Sequence, residues 1–360
     1  MTLQLLLASA AVKLLPMTEP VAASDAAELA RVEFDIAPSM VEHFVPAQYP
    51  PGKGQPGYGW PSRIEDYTVD DALAERLAAY PGLEAHWFVR EPIEGHAADF
   101  GRTMKLYADS IPFLLFRPRS SGVCWWNPFS WFDFGEKVPL VVYLPGNGEL
   151  GTDLAKQFRQ TGVIGRVVGD GFQEEHRAWL LVPMPPERGN VNMPKGYPVQ
   201  PRAPLITLLD DLVLKVVEMS HAEGESAPPI DEHRIYLTGL GCGGSMAVAM
   251  SLDHPGRYAV TAPVWSSAPL QRVVHPDAPG NWWFGYEENI YSEAVADSKE
   301  YYEKFWGKFR EDVERFGGSF ALKMYSKDER VWWWDAMWES AEFWDWCFSK
   351  RSDFEVEVKK

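Results

Sequence analysis

A chain of 360 residues with 46% hydrophobic side chains is long enough for one large domain with a substantial core. Its 34 basic and 51 acidic side chains give a net charge of -17, and with no Lys/Arg cluster such a surface repels a phosphate backbone, which argues against nucleic acid as a partner. The three cysteines, Cys124, Cys242 and Cys347, are odd in number and far apart, so they form neither a disulfide framework nor a zinc-ligand pattern.

The opening MTLQLLLASAAVKLLPM holds a short apolar run, but no positive side chain precedes that run and Lys13 interrupts it. It makes a poor signal peptide, so a soluble cytoplasmic chain is expected over an exported one. No stretch reaches the roughly 18 apolar residues of a membrane span. Residues 1–83 carry Pro- and Gly-rich text such as VPAQYPPGKGQPGYGWPS and read as an N-terminal extension. The extension holds one short helix over 69–80, opened by Thr68 and Asp71 as a capping box.

Residues 84–360 read as one domain. Alternation at HWFV (86–89), MKLYA (104–108) and FLLF (113–116) predicts antiparallel strands. The tract CWWNPFSWFDF (124–134) lies in an aromatic insertion over 118–137 and reads as a surface lid, an interaction patch or an insertion folded onto the core, packing being the commoner fate. From residue 138 the pattern becomes regular. Strands are predicted at 138–144, 179–184, 234–240, 258–265 and 320–325, with a short segment WWFG at 282–285, alternating with helices at 153–168, 204–222, 243–253, 293–316 and 335–349. Such alternation specifies an α/β fold, a mostly parallel sheet of about eight strands with helices on both faces.

The run DEHRIYLTGLGCGGSMAVAMSLDHPGRYAVTAPVW (231–265) resembles the strand, nucleophile elbow, helix and next strand of esterases in the α/β-hydrolase superfamily. The run VPLVVYLPGNGELGTD (138–153) is similar to their strand and oxyanion loop. GGSFALKMY (317–325) and WDAMWESAEFWDWCFS (334–349) resemble their last strand and helix. The likeness covers 104–350 and is to polyhydroxybutyrate-depolymerase-like and carboxylesterase-like members. It implies an α/β-hydrolase fold, serine-hydrolase ancestry and no cofactor or metal.

The same likeness exposes what the chain lacks. The family's elbow reads G-x-S-x-G-G, whereas this chain reads Gly239-Leu240-Gly241-Cys242-Gly243-Gly244, which puts Gly241 in the nucleophile's place. A turn slipped by one residue would make Cys242 the nucleophile, at the cost of Leu240 where a small residue is needed. Ser245 falls on the following helix, where packing or capping is its expected role. Aligning the last loop on Trp334 puts Val331 at the general base, after Arg330 and before Trp332 and Trp333, which are expected to form an aromatic plug at the pocket mouth. No histidine lies beyond His275. Glu288 stands at the acid's position, with no imidazole to orient. The family's oxyanion His-Gly is Pro145-Gly146; Gly146, Asn147 and Gly148 still offer backbone N–H groups, with the Cys242 N–H as partner donor. On the final helix, Trp334, Trp338, Phe343, Trp346 and Phe348 have near-helical spacing and predict a buried stripe.

Two functions follow. One is a pseudoesterase with a degenerate triad at Gly241, Glu288 and Val331, which takes a small molecule, a carbohydrate or a protein at the former active site. The other is a hydrolase of carboxylic or related acyl esters that uses Cys242 or another displaced nucleophile.

Overall fold

The computed structural model describes residues 62–90, 110–119, 136–158, 162–185, 203–222, 227–266, 274, 277–287, 298–326 and 333–352. The predicted strand at 104–108 and the aromatic tract at 124–134 fall outside them.

The strands are β1 (Ser62–Asp66), β2 (Leu83–Arg90), β3 (Ser110–Phe116), β4 (Val138–Leu144), β5 (Trp179–Pro183), β6 (Ile230–Leu240), β7 (Val260–Val264), β8 (Asn281–Glu287) and β9 (Ser319–Tyr325). They form one sheet in the order β1-β2-β3-β5-β4-β6-β7-β8-β9. From β5 to β9 every neighbouring pair is parallel, while β1, β2, β3 and β5 pair antiparallel in turn. The helices are α1 (Asp71–Ala78), α2 (Val163–Val168), α3 (Asp170–Glu175), α4 (Ala203–Ala222), α5 (Cys242–Asp253), α6 (Ser298–Arg315), α7 (Trp333–Glu339) and α8 (Ala341–Phe348).

Alternation along β4 divides the core. Val141 and Tyr143 face a cluster built with Val163, Phe172, Trp338, Phe343 and Trp344 from α2, α3, α7 and α8. Leu140, Val142 and Leu144 face the other side, packed with Leu209, Leu212, Val213 and Val216 of α4 and Met246 of α5. On that second face β8 contributes Trp282, Phe284 and Tyr286 against Trp306, Phe309 and Val313 of α6.

The structure departs from the sequence expectations in four places. The described sheet has nine strands, because SRIED (62–66), assigned to the extension, pairs antiparallel with β2. As an edge strand with a single apolar residue, Ile64, it carries no alternation to read. Ser62–Asp66 is thus built into the sheet. α1 is capped by Asp70, whose carboxylate accepts from the Leu73 N–H at 2.8 Å, in place of the Thr68 and Asp71 box. The helix predicted at 153–168 is a 3-10 turn (Leu154–Phe158) followed by α2, and the extended backbone of Gly169 then separates α2 from α3. The final helix breaks at Ser340, whose hydroxyl caps α8 by accepting the Phe343 N–H. The break rotates the aromatic stripe: Trp338, Phe343 and Trp344 are buried, whereas Trp334, Trp346 and Phe348 are only partly so.

Behind α5 a buried ionic cluster locks α4 to the turn before β7. Asp210 accepts from Arg257 and, at 2.5 Å, from the Tyr258 hydroxyl, with His254 Nε2 3.6 Å away. Asp211 pairs with Arg90 of β2 at 2.7 Å. Losing one partner of such a pair strands the other charge in the core, which costs more than the pair itself contributes.

Candidate active site

β6 runs into α5 through the single residue Gly241, at φ 57° and ψ -111°. This conformation is open to glycine and strained for other residues. Its N–H donates to the Val264 carbonyl at 2.8 Å, and its carbonyl accepts from the Ser245 N–H at 3.0 Å. Among the described residues a Cβ at Gly241 would meet nothing within 4 Å, so this position is the open tip of the turn.

The neighbouring glycines are different. A Cβ on Gly239 would lie 2.6 Å from the Leu144 carbonyl oxygen, one on Gly243 would collide with that same oxygen, and one on Gly244 would come within 3.0 Å of the Gly239 and Val264 carbonyl oxygens. The G-x-x-x-G-G frame is therefore required by the close passage of β4, β6 and α5. Among the four glycines of the motif, Gly241 alone has room for a side chain.

Cys242 is the first residue of α5 and half-buried, with its Sγ 3.7 Å from the Pro145 carbonyl oxygen. Leu240 is buried against Gly146. In the slipped register Leu240 would have to take the cramped position that Gly239 fills here. Ser245 is buried behind the elbow, 3.3 Å from both the Gly241 carbonyl oxygen and the Ser266 hydroxyl.

On the β4 side, Gly146 opens a 3-10 turn over Asn147–Glu149. Glu149 is fully buried, and its carboxylate accepts the Gly146 N–H at 3.2 Å and the Tyr143 hydroxyl at 3.0 Å. The Gly146 N–H is thus held by the buried Glu149 and turned inward. Sequence reasoning passed over Glu149. The signal was its position three residues beyond the turn's N-cap, the spacing from which a glutamate reaches back to the cap N–H.

The positions that the sequence resemblance assigns to an acid and a base follow β8 and β9 in the chain. Register pairs Leu240 with Val264, Val264 with Gly285 and Glu287 with Tyr325, so β6 to β9 all end at the edge that holds the elbow. Glu288, Val331 and Trp332 lie outside the described residues, as does the side chain of Trp333, whose backbone opens α7.

The described histidines lie elsewhere. His176, His221, His233 and His254 precede or begin β5, β6 and β7, at the opposite edge of the sheet. His254 is separated from Gly241 by the whole of α5, about 18 Å at 1.5 Å per residue. His86 lies on β2, four strands from β6 and roughly 19 Å away at the usual strand spacing.

Trp265, directly after β7, has φ 53°, the one positive value at a non-glycine among the described residues. That costs on the order of 1–3 kcal/mol and persists only where the surroundings enforce it. Here the Trp265 N–H donates to the Gly285 carbonyl at 2.9 Å, and Tyr286 holds the next carbonyl, that of Ser266, at the same distance.

The sheet order reverses at β4 and β6, with β5 on one side and β7 on the other, and the elbow stands at the carboxyl end of β6 beside that switch point. The chain has the α/β-hydrolase fold. Its structure is similar to the crystal structure of a thermostable esterase, with a TM-score of 0.50 and 23% sequence identity over 76% of this chain. The match covers 64% of that esterase, so this α/β-hydrolase-fold chain spans just under two thirds of its length. An S-formylglutathione hydrolase from Agrobacterium tumefaciens aligns at a TM-score of 0.41 and 12% identity, over 75% of this chain and 96% of that one. No protein-family model and no curated protein matches the sequence. No helix among the described residues is long and apolar enough to cross a membrane.

Proposed function

We propose that this is a non-catalytic α/β-hydrolase-fold protein of esterase ancestry, which binds a ligand at the former active site. The observation that carries the reading is Gly241 at the open tip of the elbow, in a nucleophile's backbone conformation and with no atom to attack a carbonyl. The placement of His86, His176, His221, His233 and His254 away from that edge supports it, since a nucleophile without a base stays weak at neutral pH. The degenerate triad is then Gly241, Glu288 and Val331. The α5 N-terminus and the Asn147–Gly148 backbone are the donors left for a ligand's acceptor oxygen.

Hydrolysis of short acyl esters by the purified chain tests this. The expected result is no turnover above the buffer rate. Turnover abolished by Cys242→Ala would overturn the reading in favour of a cysteine hydrolase.

A further inference from the structure

The residue that stands out beside the elbow is Trp265. It follows Val264, whose carbonyl holds the Gly241 N–H at 2.8 Å, so the two residues are neighbours across the end of the sheet. Its indole is partly buried and packs against the clusters on both faces of the sheet. As the residue just past β7, Trp265 stands at the same end of the sheet as Gly241. Its left-handed backbone is fixed from behind by Gly285, by Tyr286 on the Ser266 carbonyl, and by Trp306 Nε1, which donates to the Tyr286 hydroxyl at 2.8 Å. Strain enforced in this way is a feature of ligand clamps, where a side chain must be aimed.

We propose that Trp265 is a ligand-contacting residue of the elbow site, presenting a flat indole surface that selects ligands carrying an aromatic ring. The inference rests on the reading of the elbow as a ligand site. An aromatic ring is favoured over a sugar by the polar side chains described around the elbow, which hold one another. Ser245 is bonded to the Gly241 carbonyl and Ser266, and Glu149 to Tyr143 and Gly146. A polyhydroxylated ring would need such groups turned outward, whereas a planar ring needs only a flat apolar face and one or two donors for its polar substituent.

The test is calorimetric titration of the full chain with acetanilide, with its saturated analogue N-cyclohexylacetamide, and with methyl β-glucoside. Trp265→Phe and Trp265→Gly are titrated alongside; glycine removes the ring and also relieves the left-handed strain, so that variant is expected to fold. Acetanilide should bind about three- to tenfold tighter than the cyclohexyl compound, as expected for stacking beyond plain burial. Trp265→Gly should abolish that preference and Trp265→Phe keep most of it. The proposal is overturned by a wild type that binds no acetanilide, by equal binding of the two amides, by tighter binding of the glucoside, or by a preference that survives in Trp265→Gly. A parallel assay of 4-nitrophenyl acetate hydrolysis separates the two readings. Turnover there removes the non-catalytic assignment without touching the ring preference, and loss of the preference without turnover removes only the role of Trp265.

Discussion

The Gly241 N–H and the Val264 carbonyl oxygen, 2.8 Å apart, tie the tip of the elbow to the end of β7. A turn pinned in this way cannot relax when its residue is changed. Gly241→Ser should fit sterically, because no described residue comes within 4 Å of the new Cβ, yet should cost about 1–3 kcal/mol for the side chain's forced backbone conformation. Gly243→Ala faces the Leu144 carbonyl and should be far more damaging. Urea denaturation of the two variants checks the order; equal losses would mean that Gly241 is not at an open tip.

Trp338 joins the helix that follows the last loop to the centre of the sheet. Its Nε1 donates to Thr238 Oγ1 at 2.9 Å, its ring meets Tyr143 edge-on, and Tyr143 in turn holds Glu149. Trp338→Ala should cost about 3–5 kcal/mol through the cavity it leaves. Trp338→Phe should cost clearly less, since Thr238 still donates to the Ala262 carbonyl. Thermal unfolding of both variants decides, and similar losses would show that the ring volume contributes little.

Burial raises the Asp211 carboxyl from 3.8 to about 6 against the opposing pull of Arg90. A carboxyl whose folded pKa lies above its unfolded one binds more protons folded than unfolded between those values. Its contribution to stability is therefore fully present below pH ~4 and lost as pH rises through about 6, a swing of roughly 3 kcal/mol. Asp211→Asn removes this dependence. Relative to wild type the variant should gain stability from pH 4 to pH 7, whatever constant penalty Arg90 imposes by losing its partner. A stability difference that stays flat with pH would contradict the raised carboxyl.

Much of the fold was legible because its parallel strands are apolar runs separated by amphipathic helices, and the elbow because three of its glycines are fixed by backbone contacts. β1 was not, since pairing with β2 rather than its own alternation makes SRIED a strand. The break at Ser340 hid inside an uninterrupted helical spacing of aromatics, although a serine three residues before Phe343 is a cap signal. At the site, Gly241 forms the turn between β6 and α5, and Cys242 is the first residue of α5. The inward turn of Gly146 did not show, because it depends on the buried carboxylate of Glu149. Nothing in the sequence marks Trp265, whose backbone conformation is imposed by contacts with β8.

Restoring chemistry should take at least two changes. Gly241→Ser supplies an oxygen in the right conformation, but without a base it remains a poor nucleophile at neutral pH, so the single variant should stay close to background. Val331→His supplies an imidazole at the position the family resemblance gives the base, with nothing for it to activate. The double variant combines them, with Glu288 to orient the imidazole and the Asn147 and Cys242 backbone N–H groups to hold the oxyanion. Trp332 and Trp333 follow the new histidine in the chain, so Trp332→Gly is the third change to add if substrate access limits the rate. The measurement is turnover of 4-nitrophenyl acetate by the two single variants and the double variant side by side. The double variant should exceed either single one by at least about tenfold, since a nucleophile and base act as a unit and each alone recovers little. If Gly241→Ser alone matched it, a group other than a residue-331 histidine would already be serving as base, and the loss of the triad could not be the reason for inactivity.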